Sequence, residues 1–119
     1  MAVKTKGRRK ITVGNRQFVW YMGDDDDSCD HVLHVVSHDK AFNVNYHLEQ
    51  PAETRHLAVL GREFPGLPDA GGNWMRVRCP RWEEGGALTP GGVRRLIDWC
   101  LSTERKLVEV DYRGQSFTG

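Results

Sequence analysis

No run of apolar residues in this chain approaches the roughly 20 that a helix needs to span a bilayer. No membrane association is expected. The basic start is followed by Ile11-Thr12-Val13 and a turn, where a secretory signal would place a long apolar segment. No metal-like or redox-like cysteine spacing occurs either. Cys29, Cys79 and Cys100 are an odd number and lie far apart. They read as reduced thiols, and a cytoplasmic location is the expectation. Charge of one sign is lacking as well: 17 Lys and Arg against 16 Asp and Glu leave a net charge of +1. No global field therefore draws the chain to nucleic acid or an anionic membrane. The chain also lacks a Gly-x-Ser-x-Gly elbow, and the pairs Gly71-Gly72 and Gly85-Gly86 lack the Gly-Lys-Ser/Thr ending of a phosphate loop. No cofactor is expected.

What is present fits one domain, since 119 residues leave little room for two. The balanced total hides two blocks. Lys4, Lys6, Arg8, Arg9 and Lys10 crowd the start, and Asp24 to Asp27 form an acidic run. Residues 1–9 read as a disordered basic arm, 10–113 as a single α+β domain and 114–119 as a tail.

Lys10 to Val13 and Arg16 to Met22 are β-rich runs separated by Gly14-Asn15. That pair predicts a two-residue hairpin with Ile11 facing Phe18. Ile11, Val13, Phe18, Trp20 and Met22 then share a core face. His31 to His38 and Ala41 to Leu48 form a second predicted hairpin around Asp39-Lys40, with His34 facing Asn45. Its parity puts Leu33, Val35, Phe42, Val44, Tyr46 and Leu48 on the core face. The opposite face collects Val32, His34, Val36, His38, Asn43, Asn45 and His47. His56 to Gly61 and Trp74 to Cys79 read as further strands. Leu107 to Tyr112 reads as a last strand, with Val108, Val110 and Tyr112 inward.

The clearest element is a helix. Thr89 is its N-cap, Pro90 its first residue, and Leu88 with Val93 a hydrophobic staple. Val93, Leu96, Ile97, Cys100 and Leu101 make its apolar stripe. Gly91 and Gly92 each weaken the first turn by about 1 kcal/mol relative to alanine. The predicted fold is a mostly antiparallel sheet of six to seven strands, open or partly closed, packed on one C-terminal helix.

The segments KITVGNRQFVWYM and LTPGGVRRLIDWCL resemble small uncharacterised bacterial proteins with an N-terminal β-hairpin and a C-terminal "TPxxVRxxI" helix. The likeness covers about a fifth of the chain and its motifs are structural. It implies no chemistry and assigns no functional residue.

Several constellations are candidates for a site. His34, His38 and His47 share one parity, and three converging imidazoles are a zinc- or copper-ligand set. Solvent-facing polar strand residues give the same pattern. Cys29 and His31 share parity too, but i and i+2 on a strand stand nearly 7 Å apart, too far for a thiolate–imidazole pair. The aspartate run lacks the alternation, glycine and closing glutamate of a calcium loop. Trp74 to Trp82 interleaves arginine with tryptophan, the chemistry of single-strand nucleic-acid platforms. Trp99 falls on the flank of the helix stripe, as either core edge or an exposed interface anchor.

The expectation is a non-enzymatic binding module for a protein partner, using His34, Asn45, His47, Arg76, Arg78 and Trp99. One alternative is a nucleic-acid-binding domain using the basic arm and the Arg76/Arg78 strand. Another is a metal-dependent enzyme built on His34, His38 and His47.

Overall fold

The computed structural model describes residues 8–24, 31–67, 75–85, 88–111 and 113–115. The strands are β1 (Arg9–Val13), β2 (Arg16–Asp24), β3 (His31–Ser37), β4 (Asn43–His47), β5 (His56–Val59), β6 (Met75–Arg78) and β7 (Glu109–Val110). Among the described residues one α-helix, α1 (Pro90–Leu101), lies between β6 and β7 in the chain. Each strand pairs antiparallel with the next, in the order β1 to β7, giving an open seven-stranded meander.

Local sequence explains the first hairpin. Gly14 and Asn15 have φ of 56° and 66°, a type I′ turn whose twist matches the flanking strands. Val13 faces Arg16 and Ile11 faces Phe18, as the Gly-Asn pair predicts. The second hairpin keeps the predicted register, with His34 opposite Asn45. Its connection is longer than two residues, however. Ser37 N–H donates to Phe42 O, and Lys40 N–H closes a turn on Ser37 O. Side chains account for the change. The Asp39 carboxylate accepts from Ser37 Oγ (2.5 Å) and from Ala41 N–H (3.1 Å), while Ser37 Oγ accepts from Phe42 N–H (3.0 Å). Such local bonds offer the backbone an alternative to the ladder.

The core lies between one sheet face and α1. Phe18, Leu33, Val35, Phe42, Val44, Tyr46, Leu57, Val59 and Val77 point at the helix stripe Val93, Leu96, Ile97 and Cys100, all buried. Each such side chain contributes about 1.5–3 kcal/mol by leaving water. Met22 departs from expectation. It shares the core parity but is 39% exposed, at the far end of β2.

The cap is as the sequence predicts: Thr89 Oγ1 accepts from Gly92 N–H at 3.1 Å. The other end of α1 is closed by a residue outside it. Arg105 donates to Cys100 O (2.7 Å), to Ser102 O and to Pro65 O (2.8 Å). Its guanidinium also lies 4.9 Å from the Phe64 ring and 5.2 Å from the Trp99 ring. A cation on the last carbonyls of a helix offsets their partial negative charge.

Two more long-range polar contacts fix the loops. Arg16 forms a two-pronged ion pair with Glu63 and stands 3.6 Å from Asp39. Glu83, 2% exposed, accepts from Tyr46 Oη (2.5 Å) and from Glu49 N–H (2.6 Å).

β7 corrects the sequence reading. It has two residues, and Val110 pairs with Arg76 while Glu109 pairs with Val77. Directly opposed residues share a face. Val110 therefore lies on the face away from the helix, opposite to the predicted inward parity. It is nonetheless buried (2% exposed), apart from the main core cluster. The backbone beyond it folds into a turn, with Asp111 N–H donating to Gln115 O and Gly114 N–H to Asp111 O. Gly114, expected at the start of a tail, is buried in that turn.

Candidate functional site

The sheet face away from α1 carries the candidate residues. Its central cross-strand rank runs Tyr21, His34, Asn45, Ala58, Arg76 and Val110, each directly opposite the next. His34 and Asn45 are brought together: His34 Nδ1 lies 2.7 Å from Asn45 Oδ1. An amide oxygen only accepts, so the imidazole donates from Nδ1 and keeps a lone pair on Nε2. That Nε2 leans over Gly23, where an added side chain would come within 3.0 Å of it.

Tyr21 fixes the other side of the histidine. The two rings stack with centroids 4.8 Å apart and planes at 16°. Arg8 lies over the Tyr21 ring at 4.5 Å. The result is a row of standing groups, Arg8, Tyr21, His34 and Asn45, each held by its neighbour. Burial lowers the His34 pKa and outweighs the hydrogen bond to Asn45, while His47 and Arg8 push in the same direction as burial. The imidazole is therefore neutral at pH 7, since even its ordinary value is about 6.5.

Beyond Asn45 the row drops to Ala58. Two strand spacings of about 4.8 Å then separate the backbone of Asn45 from that of Arg76. Arg76 is on the same face and half-buried. His47 lies one rank further on, in line with Val32, and is also half-buried. His56 is opposite Arg78 on this face, and its Nδ1 lies 2.7 Å from Thr54 O. Arg78 donates to Gly114 O at 3.0 Å. Its visible role is thus to hold the C-terminal turn against β6.

The other predicted residues lie elsewhere. His38 is exposed in the turn after β3, beyond Val36 and away from the His34–Asn45 rank. Among the described residues no group of three His, Cys, Asp or Glu side chains is placed to hold a metal ion. Trp99 is half-buried and engaged on three sides, by Phe64 (6.4 Å), Trp82 (5.9 Å) and Arg105. It sits at the edge of the core, held in place, which is one of the two settings its position on the helix flank allows. Trp82, one of the two tryptophans in the arginine-interleaved segment, is 5% exposed and belongs to the core. Trp74, Cys29, the His31 side chain and most of the aspartate run lie outside the described residues.

The buried thiols are unreactive in this setting. Burial pushes Cys79 up to about 12 and Cys100 well above its ordinary value. Burial likewise raises Tyr46, and its hydrogen bond to Glu83 adds to the effect. Burial alone would raise Glu83, but bonds from Tyr46 and the Glu49 N–H hold its carboxyl below the ordinary value. Tyr46 therefore keeps its proton and Glu83 stays ionised, which fits a structural tie.

Sequence reasoning singled out neither Tyr21 nor Glu83. Tyr21 needs the β2–β3 register, which residues 23–30 leave unfixed at sequence level. Glu83 gave no local signal, because the two groups that hydrogen-bond its carboxylate stand 34 and 37 positions away. Comparison with family models, curated proteins and solved structures finds no match for this chain.

Proposed function

We propose that this protein is a small binding module whose outer sheet face receives a protein partner. The observation that carries the reading is the row Tyr21, His34 and Asn45, stacked and hydrogen-bonded on the face opposite α1. Side chains already fixed in the free protein lose less entropy on binding. Its outer end is Arg8 over Tyr21, two residue types enriched at protein interfaces. It is bordered by a step at Ala58, a small floor between Asn45 and Arg76.

The nucleic-acid alternative draws less support from the same geometry. Base stacking needs open aromatic faces. Tyr21 carries Arg8 on one side and His34 on the other, and Trp82 is buried.

Photocrosslinking tests the proposal. A photoreactive residue at Val36, Asn43 or Ala58 samples the outer face, and one at Arg94 or Asp98 samples the exposed side of α1. The expected result is protease-sensitive adducts in cells from the first set and none from the second. Nuclease-sensitive adducts, or adducts from the helix positions alone, would overturn it.

A further inference from the structure

We infer that the free edge of β1 is a docking site for an extended acidic segment of a partner, added as an eighth strand. The inference concerns the sheet edge and does not rest on the outer-face reading.

The two-residue turn determines which backbone groups are free. In such a hairpin the residues flanking the loop form a hydrogen-bonded pair, and the pairs then alternate. Val13:Arg16, Ile11:Phe18 and Arg9:Trp20 are bonded pairs in this register, and Lys10:Val19 and Thr12:Gln17 are not. The N–H and C=O groups of Lys10 and Thr12 therefore point away from β2. Within the described residues no backbone bond is made on that side. Lys10 and Thr12 are exposed, and β1 has neither proline nor bulge to blunt it.

Side chains along this edge specify what would pair. Ile11 and Val13 are half-buried and pack on the rim of the core, so an added strand has apolar surface to extend there. Arg8, Arg9 and Lys10 have no ion pair among the described residues. Two of them are held in position: Arg8 lies 4.5 Å from the Tyr21 ring and Arg9 lies 5.6 Å from the Trp20 ring. Positive charge thus stands on both faces of the strand end. A strand alternating acidic and apolar residues satisfies the backbone groups, the apolar rim and the cations together. A second copy satisfies the first two only, because self-pairing sets Arg9 and Lys10 opposite Val13 and Thr12.

The test uses the full chain, labelled for amide NMR, and three synthetic nine-residue probes. One alternates Glu and Val, one alternates Lys and Val, and one is the Glu/Val probe N-methylated on alternate residues. The Glu/Val probe should slow exchange of the Lys10 and Thr12 amides by about tenfold at saturation, weakening as salt rises. The other probes should leave them unchanged. Thr12→Pro removes a donor on the free side only, so binding should vanish while the spectrum stays native. If that variant unfolds, the N-methylated probe blocks the same bonds from the peptide side. Equal response to the Lys/Val or N-methylated probe would overturn the inference. So would a native Thr12→Pro variant that still binds, or perturbation confined to β7 or α1. Protection that rises with protein concentration alone would make a second copy the occupant and overturn it too.

Discussion

The two glycines of the first helical turn should behave in opposite ways when replaced by alanine. In isolation both substitutions gain helix propensity, up to about 1 kcal/mol each. Gly91 is exposed, and the nearest atom to an added methyl is Arg95 Nη1 at 3.7 Å, the end of a flexible side chain. Gly91→Ala should therefore stabilise the domain by up to about 1 kcal/mol, or about 4 °C in Tm for a chain of this size. Gly92 is buried, and the same methyl would sit 2.7 Å from the backbone oxygen of Trp82 and 3.4 Å from Leu88 Cδ1. A backbone carbonyl cannot step aside without moving its loop, and overpacking of this kind costs about 1–3 kcal/mol. The propensity gain is common to both variants, so it cancels in their difference. That difference isolates the steric cost and should be about 1–3 kcal/mol in favour of Gly91→Ala. Urea denaturation measures it directly, provided the slopes agree. Equal midpoints would refute the reasoning, since they would mean that the Trp82 carbonyl does not press on the helix start.

Thr89→Ala should cost about 1 kcal/mol through loss of the N-cap bond to Gly92, read as a lower urea midpoint. Glu83→Gln should cost about 1–3 kcal/mol at pH 7, because an amide has one oxygen for the two donors that the carboxylate accepts. The Glu83 pKa is lowered in the fold, so its contribution is present above the ordinary Glu value of about 4.3 and is lost as pH falls through the folded value. In thermal scans the stability gap between Glu83→Gln and the parent chain should therefore narrow as pH is lowered from 7 into the acid range. The His34 pKa is also lowered, so the neutral form is favoured in the fold, and stability should drop as pH falls below about 6.5. His34→Gln should flatten that part of the stability–pH curve, and an unchanged slope would show that His34 titrates as it does in the unfolded chain.

The parts of the fold readable in the sequence are those set by neighbours in the chain. Gly14-Asn15 dictates a turn type, and with it the β1–β2 register. The alternation from His31 to Leu48 dictates which face meets the core, because a slip of one residue would bury His34 and expose Leu33 and Val35. That pattern survived a loop of different construction. Thr89-Pro90 and the stripe from Val93 to Cys100 dictate the helix. Contacts across long separations were not legible. Arg16 reaches Glu63 across 47 positions, Tyr46 reaches Glu83 across 37, and Arg105 reaches Pro65 across 40. No local pattern marks these residues, since a charged side chain in a loop usually remains solvated. β7 shows the opposite failure. Its alternation of Val and acid suggested a parity, but only two residues pair, and tertiary packing set the face.

The same distinction bears on the candidate site. A row of polar residues on a strand face needs no function if each is simply solvated. His34 and Asn45 are instead half-buried, and each occupies the other's hydrogen-bonding atom, so neither can be lost without stranding its partner. That mutual dependence alone would make the pair a stability device. What a stability device does not require is the rest of the row: Arg8 over the Tyr21 ring, Tyr21 stacked on His34, and the drop to Ala58 before Arg76. Mutation separates the two roles. Asn45→Asp keeps an acceptor facing His34 Nδ1 and adds a charge that favours the imidazolium, so the fold should persist with the His34 pKa raised. A partner fitted to the neutral row would then lose affinity while stability at pH 7 stays within about 1 kcal/mol of the parent, the range of a part-exposed polar exchange. Retained crosslinking from Val36 and Ala58 in Asn45→Asp would show that the row supports the sheet and that recognition on this face lies with Arg76 and its neighbours.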